Sequence, residues 1–170
     1  LLQVPGALAS VTVPSGVTAI RDGAFLGCEN LATVGLGEGI ETIGGMAFAG
    51  CPALQEISLP ASVRSIGFDL FKASPNVGSV TVSAANPWFS SDQGSLYDKA
   101  LTSLLIAPPG KASLVIPEGV TRIENFAAMR GAYASLSLPS TLISIGLSAF
   151  AGCPNLTAVT IPSGVTTLEF

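Results

Sequence analysis

The stretch Ser58-Leu59-Pro60-Ala61-Ser62-Val63-Arg64-Ser65-Ile66 decides the fold, because the chain carries it more than once. It is preceded by Thr12-Val13-Pro14-Ser15-Gly16-Val17-Thr18-Ala19-Ile20 and followed by Val115-Ile116-Pro117-Glu118-Gly119-Val120-Thr121-Arg122-Ile123, with further copies from Ser137 and Thr160. With the proline as marker, copies fall at 14, 37, 60, 83, 117, 139 and 162, Gly37 and Ser83 standing in for proline. The intervals are 23, 23, 23, 34, 22 and 23, a period of 23 with one long insertion. A fixed period of this size means stacked coils rather than a conventional globule.

Each marker carries the same apolar frame. Immediately before it stand Val13, Leu36, Leu59, Val82, Ile116, Leu138 and Ile161, and two residues earlier Val11, Val34, Ile57, Val80, Leu114, Leu136 and Val159. Six residues after it come Ile20, Ile43, Ile66, Phe89, Ile123, Ile145 and Leu168. In a chain that is 48% apolar, one such column of seven arises by chance with a probability of roughly 0.006, so three in one register are a design. The pair two apart points to one side of a short strand and leaves Ser10 and Thr12 on the other. Proline has no N–H to donate and a fixed φ, so it ends that strand and turns the chain into a second one, Val17 to Ile20. The dipeptides Ala24-Phe25, Ala47-Phe48, Leu70-Phe71 and Ala149-Phe150 then predict a tight helical turn that drops an aromatic ring into the interior. A single coil buries too little to fold alone, and stacking closes both of its apolar faces. Seven coils at about 4.8 Å spacing predict an elongated parallel stack.

Composition removes several functions. The 170 residues contain no histidine, which excludes a histidine base and the Ser/His/Asp and Cys/His nucleophile pairs. A net charge of −4 without a basic cluster offers nothing to neutralise a phosphate backbone, so no nucleic acid partner is expected. No stretch approaches the about 20 apolar residues of a spanning helix. Leu1-Leu2-Gln3-Val4-Pro5 lacks an initiator methionine and a basic n-region and is expected to be an internal position of a longer protein.

The pattern Leu-x-x-Val-x-Leu-Pro-x-x-Val-x-x-Ile-Gly-x-x-Ala-Phe-x-x-Cys, read along Leu54 to Phe71 and Leu156 to Phe170, resembles the BspA-like leucine-rich repeats over essentially the whole chain. The resemblance implies an α/β but β-dominated fold. The implied architecture is a leucine-rich repeat solenoid, a right-handed superhelix of about seven 23-residue coils, expected to form a single domain over 1–170. Asn86-Pro87-Trp88-Phe89, Gly94-Ser95-Leu96-Tyr97 and Pro108-Pro109-Gly110-Lys111 are similar to the β-hairpin insertion of such proteins, here at about 84–112. Tyr97-Asp98-Lys99-Ala100-Leu101 lacks the glycine of a tight tip, so a longer turn is expected there. The family further implies a secreted or surface-attached protein that adheres to extracellular-matrix proteins or other cells.

Several side chains are weighed as sites. Cys28, Cys51 and Cys153 stand at one and the same offset from the markers at 14, 37 and 139, and small buried thiols repeated in register are expected as interior packing. Trp88, Phe89 and Tyr97 are expected to form a satellite core that glues the insertion to the flank, with Phe89 in the inward column. Asp92 and Asp98 lack the ligand ladder of a calcium loop. The pairs Glu38 with Glu41 and Asp92 with Asp98 have nothing nearby to split their pKa values. No catalytic residue, cofactor or metal is therefore expected. What remains is the outward, concave face of the first strands, small and hydroxylated, where Thr33, Glu56, Ser58, Ser79, Thr81, Ser135, Ser137 and Thr160 are the candidate partner-binding residues. Its columns lack Trp, Tyr and Arg, which favours weak or multivalent protein binding. A structural spacer that presents another domain is the alternative.

Overall fold

The marker is the first residue of a turn. The N–H three residues on donates to its carbonyl at Pro14, Gly37, Pro60, Ser83, Pro117, Pro139 and Pro162, so each copy ends one strand and aims the chain into the next. The computed structural model describes residues 8–169, and the expectation for residues 1–5 lies outside them. Strands are numbered in chain order. First strands are β1 (Ser10–Thr12), β3 (Thr33–Gly35), β5 (Glu56–Leu59), β7 (Ser79–Val82), β11 (Ser113–Val115) and β13 (Ser135–Ser137). Second strands are β2 (Ala19–Ile20), β4 (Thr42–Ile43), β6 (Ser65–Ile66), β12 (Arg122–Ile123), β14 (Ser144–Ile145) and β15 (Thr167–Leu168). The insertion supplies β8 (Phe89–Asp92), β9 (Ser95–Asp98) and β10 (Ser103–Ile106). Pairs one period apart lie side by side in parallel, as Val11 with Val34, Ile57 with Val80 and Ile43 with Ile66.

The expected helical turn is instead an arm of hydrogen-bonded turns, and the described residues contain no helix. The cause is backbone conformation. Gly23, Met46, Asp69, Phe126 and Ser148, and again Gly27, Gly50, Ala73, Arg130 and Gly152 four residues on, have φ between 52° and 74°. Two left-handed residues per arm prevent helical propagation and turn N–H groups outward to the next coil. Phe25 and Gly27 donate to Ala47 and Ala49, and Phe48 and Gly50 to Leu70 and Lys72. The rings follow: Phe25 and Phe48 stack at 5.4 Å, and Phe48 and Phe71 at 6.4 Å.

The insertion is a three-stranded meander, and it does not sit on the flank. β8 and β9 pair antiparallel through the turn Gln93-Gly94, both with positive φ. The second turn, 99–102, is the irregular one expected from its composition, and Asp98 closes it by accepting hydrogen bonds from the Thr102 N–H, Thr102 hydroxyl and Ser103 N–H. β10 then joins the second-strand sheet, with Leu104 beside Ile123. The inward column of coil four is thus filled by the buried Leu104 and not, as the spacing predicts, by Phe89, which is half-buried. A count from the marker cannot see that the extra residues enter before the second strand. β9 runs between the two halves of the molecule: Leu96 packs with the core of coils one to three and Tyr97 with that of coils four to six. Adjacent side chains of a strand face opposite ways, so one strand serves both cores.

Asn86 fixes the start of the insertion. It stands at the position after the marker where other coils have Val17, Ile40, Val63, Val120, Leu142 and Val165. Its amide donates to Pro60 and Val63 carbonyls and accepts from the Trp88 and Phe89 N–H groups, which uses its full capacity while buried.

Coil five, one residue short, solves the same packing problem differently. The Cys51 thiol donates to the Phe25 carbonyl, the Ser74 hydroxyl to Phe48 and the Cys153 thiol to Ala128. Gly131 takes the cysteine place, and the Tyr133 hydroxyl makes the same bond, to Ala107 and Pro108 at 2.9 Å. A Cβ on Gly131 would lie 1.8 Å from the Tyr133 ring, so the ring occupies the space of the missing side chain. Gly131→Cys alone is expected to cost about 1–3 kcal/mol of unfolding free energy by overpacking. Combined with Tyr133→Leu, which restores the pattern of the other coils, the total should fall at least about 1 kcal/mol short of the sum in a denaturation double-mutant cycle.

Candidate interaction surface

Along the first strands exposure alternates. Thr33, Glu56, Ser58, Thr81, Ser135 and Ser137 face solvent, whereas Ile57, Val80 and Leu114 are buried and Val34 and Leu136 half-buried. Glu56 lies beside Ser79 and Ser58 beside Thr81, and Ser137 lies beside the exposed Val115. The structure does not bring all eight candidates onto one sheet. The first strands hydrogen-bond only as the pairs β1–β3, β5–β7 and β11–β13; β3 still packs beside β5, whereas β7 makes no strand contact with β11.

The hairpin tip lies between those last two. The Val80 N–H donates to the Gly94 carbonyl at 2.8 Å, the Val82 N–H to the Ser91 hydroxyl at 3.1 Å, and the Lys111 ammonium reaches the Gln93 carbonyl on the other side. Gly94 passes so near that a Cβ would stand 3.0 Å from the Ser79 hydroxyl, which leaves Ser79 half-buried. The sequence pattern shows the insertion but not that its tip enters between β7 and β11. Thr160 differs as well, since 158–160 form no strand and Thr160 faces Ser137 across an open recess with Val159, Glu118 and Ser140. The candidates therefore divide into Thr33, Glu56, Ser58, Ser79 and Thr81 on one side of the hairpin and Ser135, Ser137 and Thr160 on the other.

The remaining candidates have structural duties. All three cysteines are thiols, Cys28 and Cys51 are buried, and burial with the neighbouring Cys28 pushes Cys51 up to about 11. Tyr97 is fully buried and pushed up to about 12 by that burial, with Asp92 adding to it. Trp88 departs from the expected satellite core, for it is 57% exposed beside the two packed rings. Among the described residues no group of three metal-ligating side chains converges. No helix of theirs is long and apolar enough to cross a membrane.

Residues 5–107 and 111–170 match the model of the BspA type leucine rich repeat region, in 6 copies. The chain belongs to this family. The break at 108–110 coincides with the return from β10, where coil four is shortest. The fold is similar to that of the pneumococcal vaccine antigen PcpA, with 26% identity and a TM-score of 0.84 over 93% of this chain and 40% of that one. A leucine rich cell surface protein from Faecalibacterium prausnitzii is 29% identical, with a TM-score of 0.71 over 95% of this chain and 50% of that one. The fold alone is shared with a leucine-rich repeat protein from Eubacterium ventriosum, at 23% identity and a TM-score of 0.63 over 94% of this chain and 55% of that one. This chain thus spans between 40% and 55% of those structures. No curated protein matches the sequence.

In this BspA-type chain Asp98 gives the insertion a dependence on acid. Burial raises its pKa, but the hydrogen bonds from Thr102 and Ser103 outweigh this and hold the carboxyl below its ordinary value. A carboxylate lowered in the folded state contributes stability that is complete above its unfolded pKa and is lost as pH falls through the folded one. Denaturation midpoints should therefore drop below about pH 4, and Asp98→Asn should lower the midpoint at pH 7 while making that acid drop shallower.

Proposed function

We propose that the chain is a non-catalytic interaction and adhesion module of a bacterial cell-surface or secreted leucine-rich repeat protein. Its partner is a protein of the extracellular matrix or of a host or neighbouring cell. The observation that carries this reading is the solvent-facing row of Thr33, Glu56, Ser58 and Thr81, held on strands whose alternate side chains are buried. Such a row is rigid, because each strand is clamped by coils above and below, and rigidity lowers the ordering cost of binding. Likeness to a leucine rich cell surface protein of Faecalibacterium prausnitzii and to a pneumococcal vaccine antigen supports an extracellular setting.

The face contains small hydroxyls and one carboxylate, with no desolvating pocket beside a carboxyl pair, so it suits contact rather than catalysis. Small polar side chains without aromatic anchors give weak single contacts, and affinity then comes from several copies or modules acting together. The spacer reading gains from one observation: the hairpin tip divides the face and shortens its continuous part. The two are separated by screening the chain, displayed multivalently on beads, against matrix proteins. Wild type is expected to capture a partner, and the triple variant Glu56→Lys, Thr81→Lys and Ser137→Lys to lose at least about 10-fold in capture. Equal capture by both would remove the first-strand face as the binding surface, and no capture by either would favour the spacer.

A further inference from the structure

Coil four is cut short on the side opposite the first strands. In coil three the segment 67–78 connects the second strand to the next first strand, whereas in coil four the connection is half as long, 107–112. Gly110 donates to the Val77 carbonyl and brings the chain straight back. The arms of coils three and five are left standing on either side of a cleft of about 520 Å³. Its floor is Leu105, Ile106 and Ala107, and its walls include Phe71, Phe126 and Met129.

The walls carry unfilled main-chain groups. In coil two the N–H groups of Met46, Phe48 and Gly50 donate to the carbonyls of Phe68, Leu70 and Lys72 on the coil three arm. The equivalent N–H groups of coil three, on Asp69, Phe71 and Ala73, find no acceptor among the described residues. Across the cleft the Ala127 carbonyl takes the Ala107 N–H at 2.7 Å, but the carbonyls of Asn125 and Met129 take none, although their counterparts Leu147 and Ala151 accept from Phe126 and Arg130. One wall thus offers donors and the other acceptors.

From this we infer that the cleft binds an extended segment of a partner polypeptide, which lies over coil four as a missing arm and seats an aromatic side chain against Phe71. A main chain is the occupant that presents acceptors on one edge and donors on the other at peptide spacing. The aromatic anchor follows from the ring stack Phe25, Phe48, Phe71, which ends there because coil four carries Ala107, paired through its N–H with Ala127, where coils one to three carry the ring. Charge does not oppose entry of a neutral segment, because the lining holds Asp69 and Glu124 against Lys72 and Arg130. Arg130 reaches Asp69 at 3.7 Å across the mouth with its own side chain half-exposed, and Asp69, largely covered, keeps Lys72 at 3.8 Å when Arg130 swings aside for an entering segment. The site is separate from the first-strand face and stands whether or not that face binds.

The probe is a fluorescein-labelled peptide copying residues 44–52 of this chain with Cys51→Ser, titrated by anisotropy against the whole protein. Saturable binding is expected, weakened at least about 10-fold by Phe48→Ala in the peptide. Met129→Trp in the protein, which fills the cleft, should weaken it as much. A version with benzoylphenylalanine in place of Phe48 should photo-crosslink to Met129 or to residues 105–107. The inference is overturned by absence of saturable binding, by a crosslink elsewhere, or by unchanged affinity of the Phe48→Ala peptide. Equal binding of a peptide N-methylated at Met46 and Gly50 would also overturn it, since that marks an apolar pocket and not a main-chain site. Concentration-dependent dimerisation abolished by Met129→Trp would assign the cleft to a second copy of this chain instead.

Discussion

Every coil depends on the next for its main-chain hydrogen bonds. One turn of the stack cannot pair its own N–H and C=O groups, and the structure pairs them one period away, in the strand ladders and again in the arms. An unpaired buried peptide group costs as much as a lost hydrogen bond, so the register between coils is held far more tightly than any loop. The aliphatic columns follow from that register. Side chains one period apart must stack on their own kind, which is why Ile20, Ile43 and Ile66 recur and why Phe25, Phe48 and Phe71 form a row of rings.

An insertion into such a stack has to solve the pairing problem itself. Here it does so by entering the stack. β10 takes over the second-strand position, β9 divides the two cores, and the turn Gln93-Gly94 occupies the edge of β7. Asn86, buried with four hydrogen bonds, joins the new strands to the coil before them. The chain used in this way is not available for the fourth arm, so the same event divides the first-strand face and opens the cleft on the opposite side.

Much of this was legible beforehand. The marker turns, the two strands per coil, the alternation that exposes Glu56 and Ser58 over buried Ile57, and the packing of the cysteines all follow from residue type and spacing. Other features were not. Leu104 displaces Phe89 because spacing counts residues and cannot tell on which side of a strand an insertion enters. Tyr133 replaces a cysteine from two positions away, which only the ring's path over Gly131 makes possible. Trp88 looks like core by composition, yet the turn held by Asn86 points it outward.

The sequence by itself determined that this chain is a stack of coils and which side chains each coil turns inward, because periodicity is a local property repeated until chance is excluded. Tertiary structure alone decided where the stack is interrupted, which surfaces are continuous, and where main-chain groups stay unpaired. Those are properties of contacts between residues about one or two periods apart, and the choice among them depends on volume and hydrogen-bond geometry that no single repeat encodes.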